Sequence, residues 1–227
     1  MKVISWNCNG GFTHKYSDLI KYDADLYLVQ EVEYTKKWVK LPGFPVDNFI
    51  YTEKANDVYE DKKGVLAFSF QKEKIHVDSH FEDLDMRYYQ YVRFKGFRVL
   101  NIWTHSKYIE DLYSLTKLNQ KELFRDDNLL MMGDFNSNAI WDGKHTFRSQ
   151  TDFNNLAESY GYRSAYHESN HEKFGEETED TFRLYRHKDK PFYIDYAFAK
   201  KSRIVEAKVI HNLDELSDHS ALEIELL

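Results

Sequence analysis

Leu129-Leu130-Met131-Met132-Gly133-Asp134-Phe135-Asn136 sets four apolar residues in a row against an acid and an amide two positions apart. Such a short, continuously apolar run reads as a strand buried on both faces rather than as an amphipathic helix. Residues i and i+2 of an extended chain face the same way, so Asp134 and Asn136 point together into one place. An ionised carboxylate buried there without a partner is costly, so the strand end demands donors or a cation.

The same layout recurs in both directions from this stretch. Residues 26–30 are apolar up to Gln30 and end on Glu31, and Asn7 closes the run of residues 3–8. Asp195 lies within residues 193–199, and Asp218 and His219 precede residues 221–226, where Leu222, Ile224 and Leu226 alternate with Glu223 and Glu225. Residues 65–70, 88–94 and 98–104 complete a set of strands, some central and some at edges. Residues 13–22, 107–126 and 149–160 read as helices, the second placing Tyr108, Leu112, Leu115 and Leu123 in one sector. Leu41-Pro42-Gly43-Phe44-Pro45 marks a loop, and the acidic run of residues 168–180 marks another, expected to be solvated surface. Many strands with few helices predict an α/β fold of two packed sheets covered by helices.

Composition bounds the rest. The 227 residues suit one domain over 1–227, and 42% hydrophobic with 16% aromatic residues supplies a large core. With 31 Lys and Arg against 38 Asp and Glu, the net charge of −7 argues against holding nucleic acid by bulk charge and leaves a local site open. The lone cysteine, Cys8, excludes an internal disulfide, and the start of the chain lacks the layout of a signal peptide, so a cytoplasmic setting is expected. The apolar runs fall far short of the ~20 residues of a membrane span, and no membrane partner is expected.

Carboxylates gathered at strand ends imply a cation. The ligands on offer are oxygen-rich, with no cysteine pair, which favours Mg²⁺ or Mn²⁺ over zinc. Six segments follow one another in order: Ser5-Trp6-Asn7-Cys8-Asn9-Gly10, Gln30-Glu31, Thr104-His105, Gly133-Asp134-Phe135-Asn136, Ile194-Asp195-Tyr196 and Ser217-Asp218-His219. In that order, over residues 3–222, they resemble the endonuclease/exonuclease/phosphatase superfamily, the deoxyribonuclease I-like fold.

The resemblance implies a four-layer α/β sandwich of two mixed β-sheets packed face to face and flanked by helices. It also implies a metal-dependent phosphoesterase that hydrolyses phosphodiester bonds by water attack, acting as a monomer on DNA or RNA. Glu31 would be the principal metal ligand, Asn7 a metal-shell or phosphate partner, and Asp218 a further ligand. Asp134 would orient and deprotonate the water, Asn136 would hold the phosphate or that water, and Asp195 would fix the tautomer of His219, which as imidazolium stabilises phosphoryl charge. His105 matches the Thr-His segment of the deoxyribonuclease I and sphingomyelinase branches, where it contacts phosphate; the abasic-site branch usually has a tyrosine in that region. A phosphomonoesterase on sugar or inositol phosphates and an inactive binding relative stay open as alternatives.

Arg183, Arg186, His187, Lys188 and Lys190, interleaved with Phe182, Tyr185 and Phe192, form a basic stretch before Asp195. It reads either as a solvated hairpin or as a contact to a phosphate backbone. Trp141 and Asp142, close after Asn136, suit either a wall of the site or the core.

Overall fold

In the computed structural model, which describes residues 1–35, 37–53, 63–78, 88–105, 107–145, 147–187 and 189–227, the apolar runs pair into two six-stranded sheets. The chain runs through β1 (Lys2–Asn7), α1 (Phe12–Leu19), β2 (Leu26–Glu33), β3 (Phe49–Thr52), β4 (Lys63–Phe68) and β5 (His76–Val77). It continues through β6 (Tyr88–Phe94), β7 (Phe97–Trp103), α2 (Ile109–Leu118), α3 (Gln120–Leu123), β8 (Leu129–Asp134) and α4 (Gln150–Ser159). The last part holds β9 (Tyr162–Ser164), α5 (Ala165–Asn170), β10 (Phe182–Arg183), β11 (Pro191–Phe192), β12 (Asp195–Lys200), β13 (Ile204–Ile210) and β14 (Ala221–Leu226).

The first sheet has the order β13-β14-β1-β2-β4-β3 and the second β5-β6-β7-β8-β12-β9, with β10 and β11 forming a separate hairpin. Both sheets are mixed. The parallel pair β1 and β2 is joined through α1, and the parallel pair β7 and β8 through α2 and α3, as a parallel connection requires.

Strand parity builds the layers. Leu130 and Met132 of β8 face the inter-sheet core with Val3, Leu26, Leu28, Leu222 and Ile224, while Leu129 and Met131 pack against Ile109, Leu112, Leu115 and Phe153. On the opposite side, Ile4 and Trp6 meet Phe12, Tyr16 and Leu19 of α1. The result is helix, sheet, sheet, helix, the four layers expected. Each fully buried Leu or Met contributes roughly 1.5–3 kcal/mol. Between the sheets a polar ladder adds direction: Gln30 Nε2 donates to Asn101 Oδ1 at 2.7 Å, and Asn101 Nδ2 to Gln90 Oε1 at 3.0 Å. Buried amides satisfied in this way specify how one sheet sits on the other.

Several expectations need correction. The helix expected over 107–126 starts at Ile109, because Tyr108 has φ 50° and is exposed. It breaks at Asn119, whose side-chain Nδ2 donates to Leu115 O at 2.9 Å in competition with the backbone, and it ends at Leu123. The helix expected over 13–22 starts at Phe12 and tightens to a 3₁₀ turn at Ile20–Tyr22. That expected over 149–160 fits closely, with Ser149 and Asp152 forming a capping box. The acidic run is neither all loop nor all solvated. Its first residues, 168–170, close α5, and the side chain of Glu177 is buried, held by His167 Nε2 at 3.1 Å and Asn138 Nδ2 at 3.2 Å. Among the described residues, no helix is long and apolar enough to cross a membrane.

Candidate active site

Gly133 decides how β8 delivers its acid. Its φ of 146° and its register opposite Ile102 of β7 leave no room for a side chain, since a Cβ would lie 2.0 Å from Ile102 O. With that close approach, Asp134 ends the strand fully buried. Asn136 follows in the left-handed region at φ 47°, a conformation Asn tolerates. There its backbone N–H donates to Asp134 Oδ1 at 2.8 Å, and its Nδ2 donates to Asp134 Oδ2 at 2.9 Å and to Thr104 O at 3.0 Å.

β12 runs antiparallel beside β8 and sets Asp195 opposite Asp134. Thr181 Oγ1 accepts the backbone N–H groups of Ile194 and Asp195 at 2.9 and 3.0 Å, fixing the start of that strand. Asp195 Oδ2 lies 2.9 Å from His219 Nδ1, and His219 Nε2 lies 4.0 Å from Asp134 Oδ2. One donor atom from each of Asp134, Asp195 and His219 falls within 4.8 Å of the others. Burial pushes the Asp134 carboxyl up, offset in part by the His219 charge. Burial opposes the His219 imidazolium, yet the charges of Asp195 and Asp134 outweigh it and hold the group up at about 10. The Phe182 ring packs on the imidazole with centroids 4.7 Å apart, and Trp6 Nε1 donates to His219 O at 3.0 Å.

The first sheet supplies the facing half. Asn7 Nδ2 donates to Asp134 Oδ2 at 2.9 Å and to Glu31 Oε1 at 3.0 Å, joining the two sheets' contributions. Its Oδ1 accepts from Asn9 N at 3.0 Å, and Ser217 Oγ donates to its carbonyl at 2.8 Å. Glu31 sits at φ 58° in a register shift of β2 against β4, where Lys63 Nζ reaches Glu31 Oε2 at 2.6 Å.

The structure thus brings together Asn7, Glu31, Asp134, Asn136, Asp195 and His219. Two expected residues stand outside this hydrogen-bonded set. His105 is half-buried at the end of β7 in edge contact with the Tyr88 and Trp103 rings, one residue beyond the carbonyl that holds Asn136. Asp218 is half-buried, its backbone carbonyl accepting from Arg183 N at 2.9 Å.

The basic stretch forms a hairpin through β10 and β11, with Trp141 packed partly buried on Phe192 at 5.1 Å. Arg183 is spent on ion pairs with Asp180 and Asp214, both at 2.8 Å, so it is no free phosphate contact. Lys188 lies outside the described residues. Exposed Arg186 follows the outward Tyr185, both at positive φ. Sequence reading missed Lys63, Thr181, Ser217 and Lys15. The half-buried Lys15 amine donates to Cys8 O, and burial lowers its pKa, reinforced by the Arg186 charge and opposed by that of Asp218. Only Ser217 and Thr181 carry a local signal, as neighbours of Asp218-His219 and of the Phe182 that covers His219.

Whole-chain comparisons find the same fold in solved structures. A 3′-5′ exonuclease from Neisseria meningitidis superposes with a TM-score of 0.73 at 17% identity, covering 100% of this chain and 99% of that one. A Neisseria 3′ phosphatase bound to a product DNA hairpin gives 0.71 at 18% identity, with the same coverage. An AP endonuclease from Archaeoglobus fulgidus gives 0.69 at 18% identity, covering 100% and 99%. No curated protein sequence matches at a significant level. The model of the endonuclease/exonuclease/phosphatase family matches residues 4–219, and the chain belongs to that family.

Proposed function

We propose that the chain is a divalent-metal-dependent phosphoesterase that hydrolyses phosphodiester bonds of nucleic acid, DNA foremost, by attack of water. The observation that carries this reading is the buried His219 Nδ1 to Asp195 contact at 2.9 Å, set beside Asp134 and facing the Asn7–Glu31 pair. The residues fit the metal. Glu31 already bears a cation, the Lys63 ammonium, and the surrounding donors are carboxylate and amide groups of the kind hard cations take. Glu31, with Asn7 and Asp218, would hold Mg²⁺ or Mn²⁺. The bound ion supplies Lewis acidity and a template for the phosphate.

Asp134 accepts the proton of the attacking water. Burial favours that role by raising its basicity, and the amides of Asn7 and Asn136 hold the carboxylate in place. His219 is read as an imidazolium that stabilises charge on a phosphoryl oxygen, with Asp195 fixing its orientation. An imidazolium has no lone pair to give, so the Asp134, Asp195 and His219 group is read as handling protons although its span suits a cation. His105 meets the phosphate from the end of β7.

The DNA reading is supported by the Neisseria 3′ phosphatase with its product hairpin and by the exonuclease and endonuclease descriptions of similar folds. The test is a panel of bis-p-nitrophenyl phosphate, single- and double-stranded DNA, a 3′-phosphorylated hairpin and inositol phosphates, with Mg²⁺, Mn²⁺ or chelator. DNA and the small diester should turn over with metal and stop with chelator. Efficient turnover of an inositol phosphate with DNA untouched would replace this reading by the phosphomonoesterase alternative, and silence on every substrate by the inactive binding relative.

A further inference from the structure

The Glu31 carboxylate is held by a lysine that no motif announces. In the antiparallel pair of β2 and β4, Val29 faces Leu66 and Val32 faces Gly64, so β2 carries one residue more than β4 between these points. This bulge bends the strand and re-aims a side chain, and Glu31 within it adopts φ 58°. Lys63, paired with Glu33 at the start of β4, then lands its ammonium 2.6 Å from Glu31 Oε2. The backbone under Lys63 is fixed by Gly64, where a Cβ would lie 2.3 Å from Thr52 O of β3. The Gly10 turn runs alongside, such that a Cβ there would lie 3.5 Å from Lys63 Cε. Glu33, two residues past Glu31, takes no part, because its carboxylate accepts the N–H groups of Phe12 and Thr13 at the start of α1, at 2.8 and 3.1 Å.

We propose that Lys63 is a positioning residue that shares Glu31 with the divalent cation. Without metal, its ammonium neutralises and orients the carboxylate. With metal bound, the cation takes the carboxylate's charge and the ammonium turns to the substrate phosphate. The inference rests on the metal reading of Glu31 given above. Its physical basis is competition: two cations drawing on one carboxylate weaken each other's hold, and an ammonium beside a bound phosphodiester is drawn to a second anion.

The experiment measures Mn²⁺ affinity by electron paramagnetic resonance of the free ion, in the full chain without substrate. Wild type, Lys63→Met, Lys63→Gln, Lys63→Arg and Glu31→Gln are compared. Removing the lysine charge should tighten Mn²⁺ binding by about fivefold, the upper end for a partly exposed ion pair. At saturating Mn²⁺ the same variants should raise KM for bis-p-nitrophenyl phosphate more than they lower kcat, and Lys63→Arg should restore both properties. Lys63→Gln keeps the fold testable should the methionine variant unfold. Mn²⁺ binding that is unchanged or weaker in both neutral variants overturns the role of Lys63. Mn²⁺ binding to Glu31→Gln as tight as to wild type overturns instead the metal reading on which it rests.

Discussion

The two halves of the site are built alike and serve differently. In each sheet a parallel strand pair joined across helices carries a carboxylate, Glu31 in the bulge of β2 and Asp134 at the end of β8. The Glu31 half is partly open, with side-chain exposures of 18% for Glu31 and 27% for its partner Lys63. The other half is closed, with Asp134, Asp195 and His219 at 5% or less. An open carboxylate paired with a flexible ammonium can trade partners, as cation exchange requires. A closed triad has fixed partners and a low local dielectric, which holds a protonation pattern in place. Asn7 bridges the halves, donating to both acids from one amide nitrogen.

Breaking the closed half should cost most. Asp134→Asn removes the proposed base while keeping its size, and kcat should fall by about 10²–10⁴-fold, the range for a positioned general base. Asp195→Asn should also lower kcat with KM nearly unchanged, because orientation of His219 matters chiefly in the transition state. If the losses from Asp195→Asn and His219→Ala simply multiply in the double variant, the two residues act independently and the pairing is wrong.

The same pair gives a stability signature in the metal-free protein. His219 is held up at about 10 from an ordinary value of 6.5, so the native state binds its proton more tightly than the unfolded chain does. The stabilisation from this group is therefore complete below about 6.5 and lost as pH rises through about 10. The wild-type melting temperature should decline across that window, and Asp195→Asn should flatten the decline. A decline of equal slope in the variant would detach it from His219.

Disturbing the open half should cost activity but not the fold. Glu31→Gln is expected to remove most turnover at ordinary Mg²⁺ concentrations, with partial recovery at high Mn²⁺, while thermal stability stays near wild type. Activity that survives both this change and chelation would remove the metal from the mechanism.

The comparison also shows what a sequence can carry. Glu31 and Asp134 were legible because each ends an apolar run, and Asp195 because it lies inside one, places where an unpartnered charge is anomalous. The strands that bear them followed from the same runs. Lys63 was not legible, because a one-residue bulge between strands places it, and no local pattern announces a bulge. Glu177 looked like one more charge in an acidic run. Its side chain is buried where His167 and Asn138, from other parts of the chain, converge on it. β13 carries charges at Glu206 and Lys208 among its apolar residues and is broken by a bulge, which masked its strand character. Tyr108 fitted a helical stripe by spacing, yet the chain enters α2 one residue later.

The smallest expected effect separates two arginines that look equivalent in the basic stretch. Arg183 is mostly buried, at 13% exposure, and is bound to Asp180 and Asp214, whereas Arg186 is exposed and close enough to Lys15 for their charges to interact. Arg183→Ala removes the guanidinium that bridges two carboxylates, so it should lower stability, by about 1–3 kcal/mol on the scale of charged hydrogen bonds lost. It should leave the salt dependence of DNA binding unchanged, since a guanidinium already neutralised releases no counterion from the phosphates. Arg186→Ala should do the reverse, with stability intact and the log–log salt slope on duplex DNA shallower by about 0.9 for one lost phosphate contact. The small phosphodiester should turn over equally well in Arg186→Ala and wild type, because a backbone contact away from the reacting phosphate has no counterpart on that substrate. A shallower salt slope in Arg183→Ala would mean that its ion pairs open on DNA and that the hairpin, rather than the rim beside Lys15, grips the backbone.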